Sequence, residues 1–409
     1  MANKPKIRFN NYSDEWKERQ LGDYAEKITD KNFETIYKEV FTNSAEYGII
    51  SQQEYFEHDI ANKNNISGYY IVKPNDFVYN PRISKTAPVG PIKRNKIGRT
   101  GVVSPLYFVF KLNIIDLFFF DYFFDGTGWH QFMRDNGNTG ARFDRFSISE
   151  ENFWKMKIKS PNANEQKDIG TFFTHITSLI ASTQEKLDKA IIQKKSMLEK
   201  MFPQNDAKIP ELRFKGFSGE WNKKKLSDYL EVVTEKNIYE QYGKEDVLSV
   251  SGDFGVVNQI EFQGKSLAGA SLVNYGVVHT GDVVYTKSPL KEQPYGIIKT
   301  NKGKTGIVSA LYGVFRKNSE INTDFIQYYF ESDRRLNEYL RPIVNKGAKN
   351  TLLVSDEDSL KGIVYIPSIK EQEIIIQYFD ESSKLITNYR NELEKLKTIK
   401  KSLLDKMFV

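Results

Sequence analysis

Pro5-Lys-Ile-Arg-Phe-Asn-Asn-Tyr-Ser-Asp-Glu-Trp16 returns later in the chain as Pro210-Glu-Leu-Arg-Phe-Lys-Gly-Phe-Ser-Gly-Glu-Trp221, at a constant offset of 205. The match runs on through Leu21-Gly-Asp-Tyr24 against Leu226-Ser-Asp-Tyr229 and ends at Lys31-Asn32 against Lys236-Asn237. Thirteen of these 28 aligned positions are identical, which chance composition does not produce. A repeat this long marks a duplicated domain, not a solenoid of short units.

The same order holds outward from this stretch. Asp76-Phe-Val-Tyr79 pairs with Asp282-Val-Val-Tyr285, and Pro88-Val-Gly90 with Pro294-Tyr-Gly296. Thr100-Gly-Val-Val-Ser-Pro-Leu-Tyr107 pairs with Thr305-Gly-Ile-Val-Ser-Ala-Leu-Tyr312, and Gly140-Ala-Arg142 with Gly347-Ala-Lys349. Within each copy, Gly101-Val-Val-Ser and Tyr107-Phe-Val-Phe110 read as strands by β-branched and aromatic content. Phe118 to Phe124 and Phe325 to Phe330 read as buried helices. Asn136-Gly-Asn-Thr-Gly140 reads as a loop.

Each copy then changes character. From Glu165 to Phe202 and from Glu371 to Phe408 there is no Pro and, apart from Gly170, no Gly. Apolar residues recur at alternating three and four: Phe173, Ile176, Ile180, Leu187, Ala190, Met197 and Met201 in the first copy. The second gives Phe379, Ile386, Tyr389, Leu393, Leu396, Leu403 and Met407. That period is a coiled-coil seam, with polar interruptions at Thr183, Lys194, Ser382 and Lys400. A lone helix of this length needs a partner for its stripe, and the nearest is the other copy, paired antiparallel.

The expected fold is α+β: two tandem mixed α/β domains separated by long helices pairing as an antiparallel coiled coil. Boundaries fall at 1–164 and 210–370 for the two domains, 165–202 and 371–409 for the helices, and 203–209 for a linker marked by Pro203 and Pro210. The 409 residues suit two or three domains, and a hydrophobic content of 39% is ample for folded cores.

Several function classes are excluded at once. With no Cys there is no disulfide, thiolate metal site or cysteine nucleophile. The apolar run Ile114 to Phe124 is short and carries Asp116 and Asp121, so it does not span a bilayer. The start lacks a signal-peptide core, and a cytoplasmic location with no membrane partner is expected. The net charge of +6 is compatible with a polyanion partner.

Two variable domains, each closed by a Pro-x-x-x-Glu-Gln step (Pro161 to Gln166, Pro367 to Gln372) into a long helix, resemble the specificity subunits of type I restriction-modification systems. The Arg-Phe…Glu-Trp opening and the Gly281-Asp-Val-Val-Tyr285 strand resemble that family too; Asn75 takes the place of this Gly in the first copy. The resemblance covers essentially the whole chain. It implies two target recognition domains, each reading one half of a split sequence in double-stranded DNA, held apart by the helices. It further implies docking of two modification (methyltransferase) subunits and of motor-nuclease restriction subunits. S-adenosylmethionine would then sit on the modification subunits and ATP with magnesium on the motor subunits, with no cofactor on this chain.

The residues agree with a non-catalytic subunit. Asn301-Lys-Gly-Lys-Thr305 resembles a phosphate-binding loop, but Ile298 stands where its first Gly belongs. Asn80-Pro-Arg-Ile83 resembles an adenine-methyltransferase signature without its second Pro or its stacking aromatic. His58, His130, His175 and His279 lack metal-ligand spacing.

Base edges are read by Arg, Lys, Asn and Gln, and phosphates by positive charge. The best base-reading stretch carries Arg134, Asn136, Asn138, Arg142 and Arg145. Its counterpart carries Arg341, Asn345, Lys346, Lys349 and Asn350. A second stretch, Arg82, Lys85, Lys93, Arg94, Lys96 and Arg99, suits phosphates better, as does its counterpart Lys287, Lys291, Lys299, Lys302 and Lys304. The competing reading is a tandem-domain scaffold that binds protein or RNA. A solitary methyltransferase or nuclease ranks behind both, for want of a pocket motif.

Overall fold

The computed structural model describes residues 4–55, 66–113, 116–139, 143–289, 293–347 and 352–409. The chain forms two compact units, residues 1–184 with 391–409 and residues 185–390. Neither unit is a continuous copy of the repeat. The expected boundaries separate domain from helix, whereas each compact unit takes one half of each long helix.

In the first unit a four-stranded antiparallel sheet runs in the order Ala25–Lys27, Phe108–Leu112, Phe77–Tyr79, Ile92–Arg94. The second repeats it as Leu230–Val232, Tyr312–Lys317, Val283–Thr286, Ile297–Thr300. Successive side chains of a strand point to opposite faces. Accordingly Phe77 and Tyr79 enter one core cluster while Val78 enters another, and Val283 and Tyr285 diverge from Val284 in the same way. The central strand is covered on both faces, which is why its sequence is apolar throughout.

The helix Leu117–Asp125 is capped by Asp116, whose side chain accepts the Phe119 N–H at 3.0 Å. Thr323–Tyr329 is capped the same way by Asn322. Gly90 and Gly296 sit at φ +84 and +98, where a Cβ would meet the carbonyls of Asn80 and Thr286 at 2.2 and 2.0 Å. Only glycine fits a left-handed position pressed on a neighbouring strand, which explains the repeated Pro-x-Gly. The stretch expected as the loop Asn136–Gly140 differs. Gly137–Thr139 forms a strand paired with Phe146–Ile148, and Gly137 lets the Phe146 ring lie where a Cβ would be 2.5 Å away.

The long helices run Ala163–Lys200 and Ile369–Met407. In the second unit Phe202 meets Phe379 at 5.9 Å and Lys194 donates to the Ser383 hydroxyl at 2.9 Å. As the number rises on one helix it falls on the other, so these segments are antiparallel. In the first unit Phe173 meets Phe408 at 5.8 Å in the same way. The repeated Lys-Met-Phe endings thus enter the cores of these units: Met201 and Phe202 in the second, Met407 and Phe408 in the first.

The opening motif closes on the start of its long helix. Arg8 donates to both oxygens of Glu165 at 2.6 and 2.7 Å, and Arg213 to both oxygens of Glu371 at 2.7 Å. The Glu165 side chain has no solvent exposure, and the Trp16 indole N–H also reaches it at 3.4 Å. Removing one partner of a buried, bidentate pair strands the other, at a cost of ~3–5 kcal/mol. Arg8→Ala should therefore lower stability by about that amount in urea unfolding, and Arg8→Met with Glu165→Met by clearly less than the sum of the two single changes.

Burial lowers the pKa of His130 to about 4. A depressed histidine contributes stability that is intact at neutral pH and is lost as pH falls from ~6.5 through that value. The second copy has Leu336 at the equivalent place. His130→Leu should hold its melting temperature across that window better than the wild type, measured by thermal melts from pH 7 to pH 4.

Candidate nucleic-acid interface

The basic stretch expected to hold phosphates is largely neutralised inside the fold. Lys93, on the strand Ile92–Arg94, reaches Asp125 at 2.5 Å, and Lys400 of the second long helix approaches the same carboxylate at 3.5 Å. The second unit repeats this with Glu331 between Lys194 at 2.8 Å and Lys299 at 3.7 Å. Lys299 is buried, which lowers its pKa. Two of the four polar interruptions of the seam, Lys194 and Lys400, thus share a carboxylate with a strand lysine. Lys93 and Lys299 are structural cations, each held by a carboxylate of its own unit.

Other members of the stretch are engaged too. Arg94 is buried, donates to Asp121 and Asn75, and lies 4.7 Å over the Phe118 ring. Lys96 pairs with Asp121 at 2.9 Å, Arg99 with Glu39 at 2.6 Å, Lys287 with Asp356 at 2.8 Å and Lys302 with Asp380 at 2.7 Å. Lys85 and Lys304 are exposed and form no ion pair among the described residues. Arg142, Lys291, Lys349 and Asn350 lie outside the described residues, as does the side chain of Lys346.

What the fold brings together is Arg82 from one stretch and Arg145 from the other. The Ile83 N–H donates to the Asp144 carbonyl at 3.0 Å and the Phe146 N–H to the Pro81 carbonyl at 2.7 Å, placing Arg82 opposite Arg145 in a bridge. Arg145 and Arg82 are both exposed. Arg82 also lines a groove of about 350 Å³ with Thr42, Asn43, Asn80, Ser84, Thr86 and Tyr55. Asn80 is spent on structure: its amide donates to the Asn43 carbonyl and its Oδ1 accepts the Arg82 N–H. Asn43 donates to Val78 and Pro91, while its Oδ1 has no partner among the described residues.

Arg134 and Asn136 are exposed on the helix His130–Asn136, and Asn138 is exposed on the adjoining strand. In the second unit Arg341 follows the helix Asp333–Leu340, and Asn345 opens a short strand paired with Leu352–Leu353. The loop that resembles a phosphate cradle is an asparagine-centred turn. Asn301 donates to the His279 and Lys304 carbonyls, as Asn95 does to those of Lys73 and Arg99. Among the described residues no three His, Asp or Glu side chains gather to hold a metal ion, and no helix is long and apolar enough to cross a membrane.

Two aromatic features escaped the sequence reading. Tyr47 and Tyr55 form an edge-on pair at 6.0 Å, and Phe254 and Phe262 a tilted pair at 5.3 Å. All four are exposed, and both pairs sit at one offset of 207, a signal the repeat alignment could have shown. Phe143, close to Arg145 in the chain, is also exposed.

The internal ion pairs make a stability prediction. Glu331→Gln leaves Lys299 and Lys194 without their carboxylate, so urea unfolding should show a loss of ~3–5 kcal/mol. Lys304→Gln, at an exposed position, should change stability by less than about 0.5 kcal/mol.

Residues 13–191 match the family described as the type I restriction modification DNA specificity domain. A putative type I restriction enzyme MjaX specificity subunit of Methanocaldococcus jannaschii is 22% identical over 274 residues, spanning 63% of this chain and 60% of that relative. The chain thus spans under two thirds of that relative's length. Among solved structures, a type I restriction-modification S subunit from M. genitalium superimposes with a TM-score of 0.57 at 13% identity, covering 99% of each chain. A chain from a study of complex assembly and conformational transition in the type I R-M system gives 0.53 at 13% identity, covering 96% of this chain and 97% of that one. At such identities these two likenesses establish the fold.

Proposed function

We propose that this chain, a type I restriction-modification specificity protein by family, reads a bipartite sequence in double-stranded DNA without catalysis of its own. One observation carries the reading: two copies of one frame present different surfaces at equivalent places. Tyr79 and Gly90 align with Tyr285 and Gly296 without a gap, and between them Arg82 stands where the second copy has Ser288. A frame kept constant while its outward side chains differ suits two half-sites of different sequence. The two domains are residues 1–164 and 210–370, and the helices carry the docking of modification and motor-nuclease subunits. S-adenosylmethionine, ATP and magnesium belong to those partners.

Within this reading Arg82 and Arg145 are the foremost DNA contacts of the first unit, because no carboxylate holds either as closely as Lys93 and Lys302 are held. Such a guanidinium holds a phosphate or forks onto a guanine edge. The test is duplex binding by the full chain, with and without modification subunits, as salt is raised. Arg82→Ala and Arg145→Ala should each reduce the salt slope by ~1 if they hold phosphates, or relax one half-site by ~1–3 kcal/mol if they read bases. Lys93→Met should change stability far more than either property. Binding that prefers single strands, or that salt leaves unchanged, would instead support the scaffold reading.

A further inference from the structure

Phe143 is 79% exposed and sits at φ +52, a left-handed conformation that bulky side chains rarely adopt. Its surroundings make this more than a loose loop residue. The Asp144 carbonyl that follows is pinned by the Ile83 N–H, and Phe146 buries its ring in the first unit's core. The backbone that presents Phe143 is therefore anchored on one side, and the ring projects from it. Arg82 and Arg145 lie close by on the bridged strands, with the Asp144 carboxylate 3.8 Å from Arg145, at the outer limit of an ion pair. Among the described residues this large apolar ring, held out on strained backbone beside guanidinium groups, packs into neither core cluster of its unit. Outliers of this kind point to a binding role.

We infer that Phe143 is a wedge that enters the base stack of duplex DNA in the half-site contacted by the first unit. Apolar side chains used in this way open a single base step and kink the duplex. The neighbouring arginines suit the phosphates on either side of such a step. The corresponding stretch of the second copy, Ile343 to Leu352, contains no aromatic residue, so the wedge belongs to one half-site only. This inference rests on the duplex-reading function proposed above.

The experiment uses the full chain with its modification subunits. The probes are duplexes carrying the methylation site mapped for that complex, with 2-aminopurine placed in turn at each position of the half-site. Wild type should brighten the fluorophore several-fold at one step, reporting its unstacking. Phe143→Ala should lose the signal and bind about tenfold more weakly, while Phe143→Leu keeps some of both. Phe143→Gly, which fits the left-handed backbone, should lose the signal and yet melt no lower than wild type, separating function from folding. Duplex binding without brightening at any position overturns the wedge alone, and so does brightening that survives Phe143→Ala. A variant that loses capture of the modification subunits while binding DNA normally shows a protein contact and overturns it too. Failure of the wild type to bind duplex overturns the DNA reading and the wedge together.

Discussion

Two carboxylates, Glu165 and Glu371, stand almost wholly out of water at the start of the long helices. Each is held by both arms of an arginine in its own unit, Arg8 and Arg213, which lie 157 and 158 residues earlier in the chain. A buried charge is tolerable only when paired and hydrogen-bonded, so neither partner can move without stranding the other. The consequence is topological. The first residues of each copy and the first turn of its helix are fixed to each other, and everything between them must form a closed body. Trp16 and Trp221 are buried in the same two cores, each 2% exposed, so the opening motif is anchored by packing as well as by charge.

From that closure the helices inherit their second duty. A helix of some 38 residues is ~57 Å long, at ~1.5 Å per residue, and leaves the body in which it starts. Its far end is satisfied by the core of the other unit, through Phe202 in one case and Phe408 in the other. Lysines at the seam then reach the acids at the ends of the sheet-packing helices, Lys194 to Glu331 and Lys400 to Asp125. Hydrophobic contact fixes that the helices pack, while these ion pairs fix at which turn. A slip of one turn would part each half-buried seam lysine from its acid and leave that acid only its strand lysine, Lys93 or Lys299, so the ion pairs favour one register inside an apolar seam.

Much of this frame was legible because it is doubled. The long helices follow from their period, and the central strand Phe77–Tyr79, the buried helix Leu117–Asp125 and the Pro-x-Gly motif stand out because both copies keep them. The DNA-facing side was far less legible. Composition shows that Lys93, Arg94 and Lys299 are cations, but not that the fold turns them toward Asp125, Asp121 and Glu331. Those partners lie about thirty residues away in sequence, and no local pattern announces them. Conversely, Arg82 and Arg145 belong to separate stretches, and only the bridge between Pro81–Ile83 and Asp144–Phe146 makes them neighbours.

The two copies also act as an internal control on what each position is for. Trp129 and Arg335 occupy equivalent buried places: the indole N–H donates to the Phe124 and Gly126 carbonyls, the guanidinium to those of Tyr329 and Leu198. A neutral ring and a cation can exchange there because both offer a flat face and donors to carbonyls. Arg335 also recovers some of its lost hydration from the Phe202 and Tyr329 rings, at 4.6 and 5.2 Å. Where burial dictates the demand, the copies thus change residue and acceptor but still satisfy a buried donor with backbone carbonyls. At Arg82 against Ser288 there is no such compensation, since both side chains reach water and neither completes a core. Divergence unmatched by any internal partner is what an outward-facing reading surface requires, and at Arg82 it falls on the edge where the basic hairpin meets the groove.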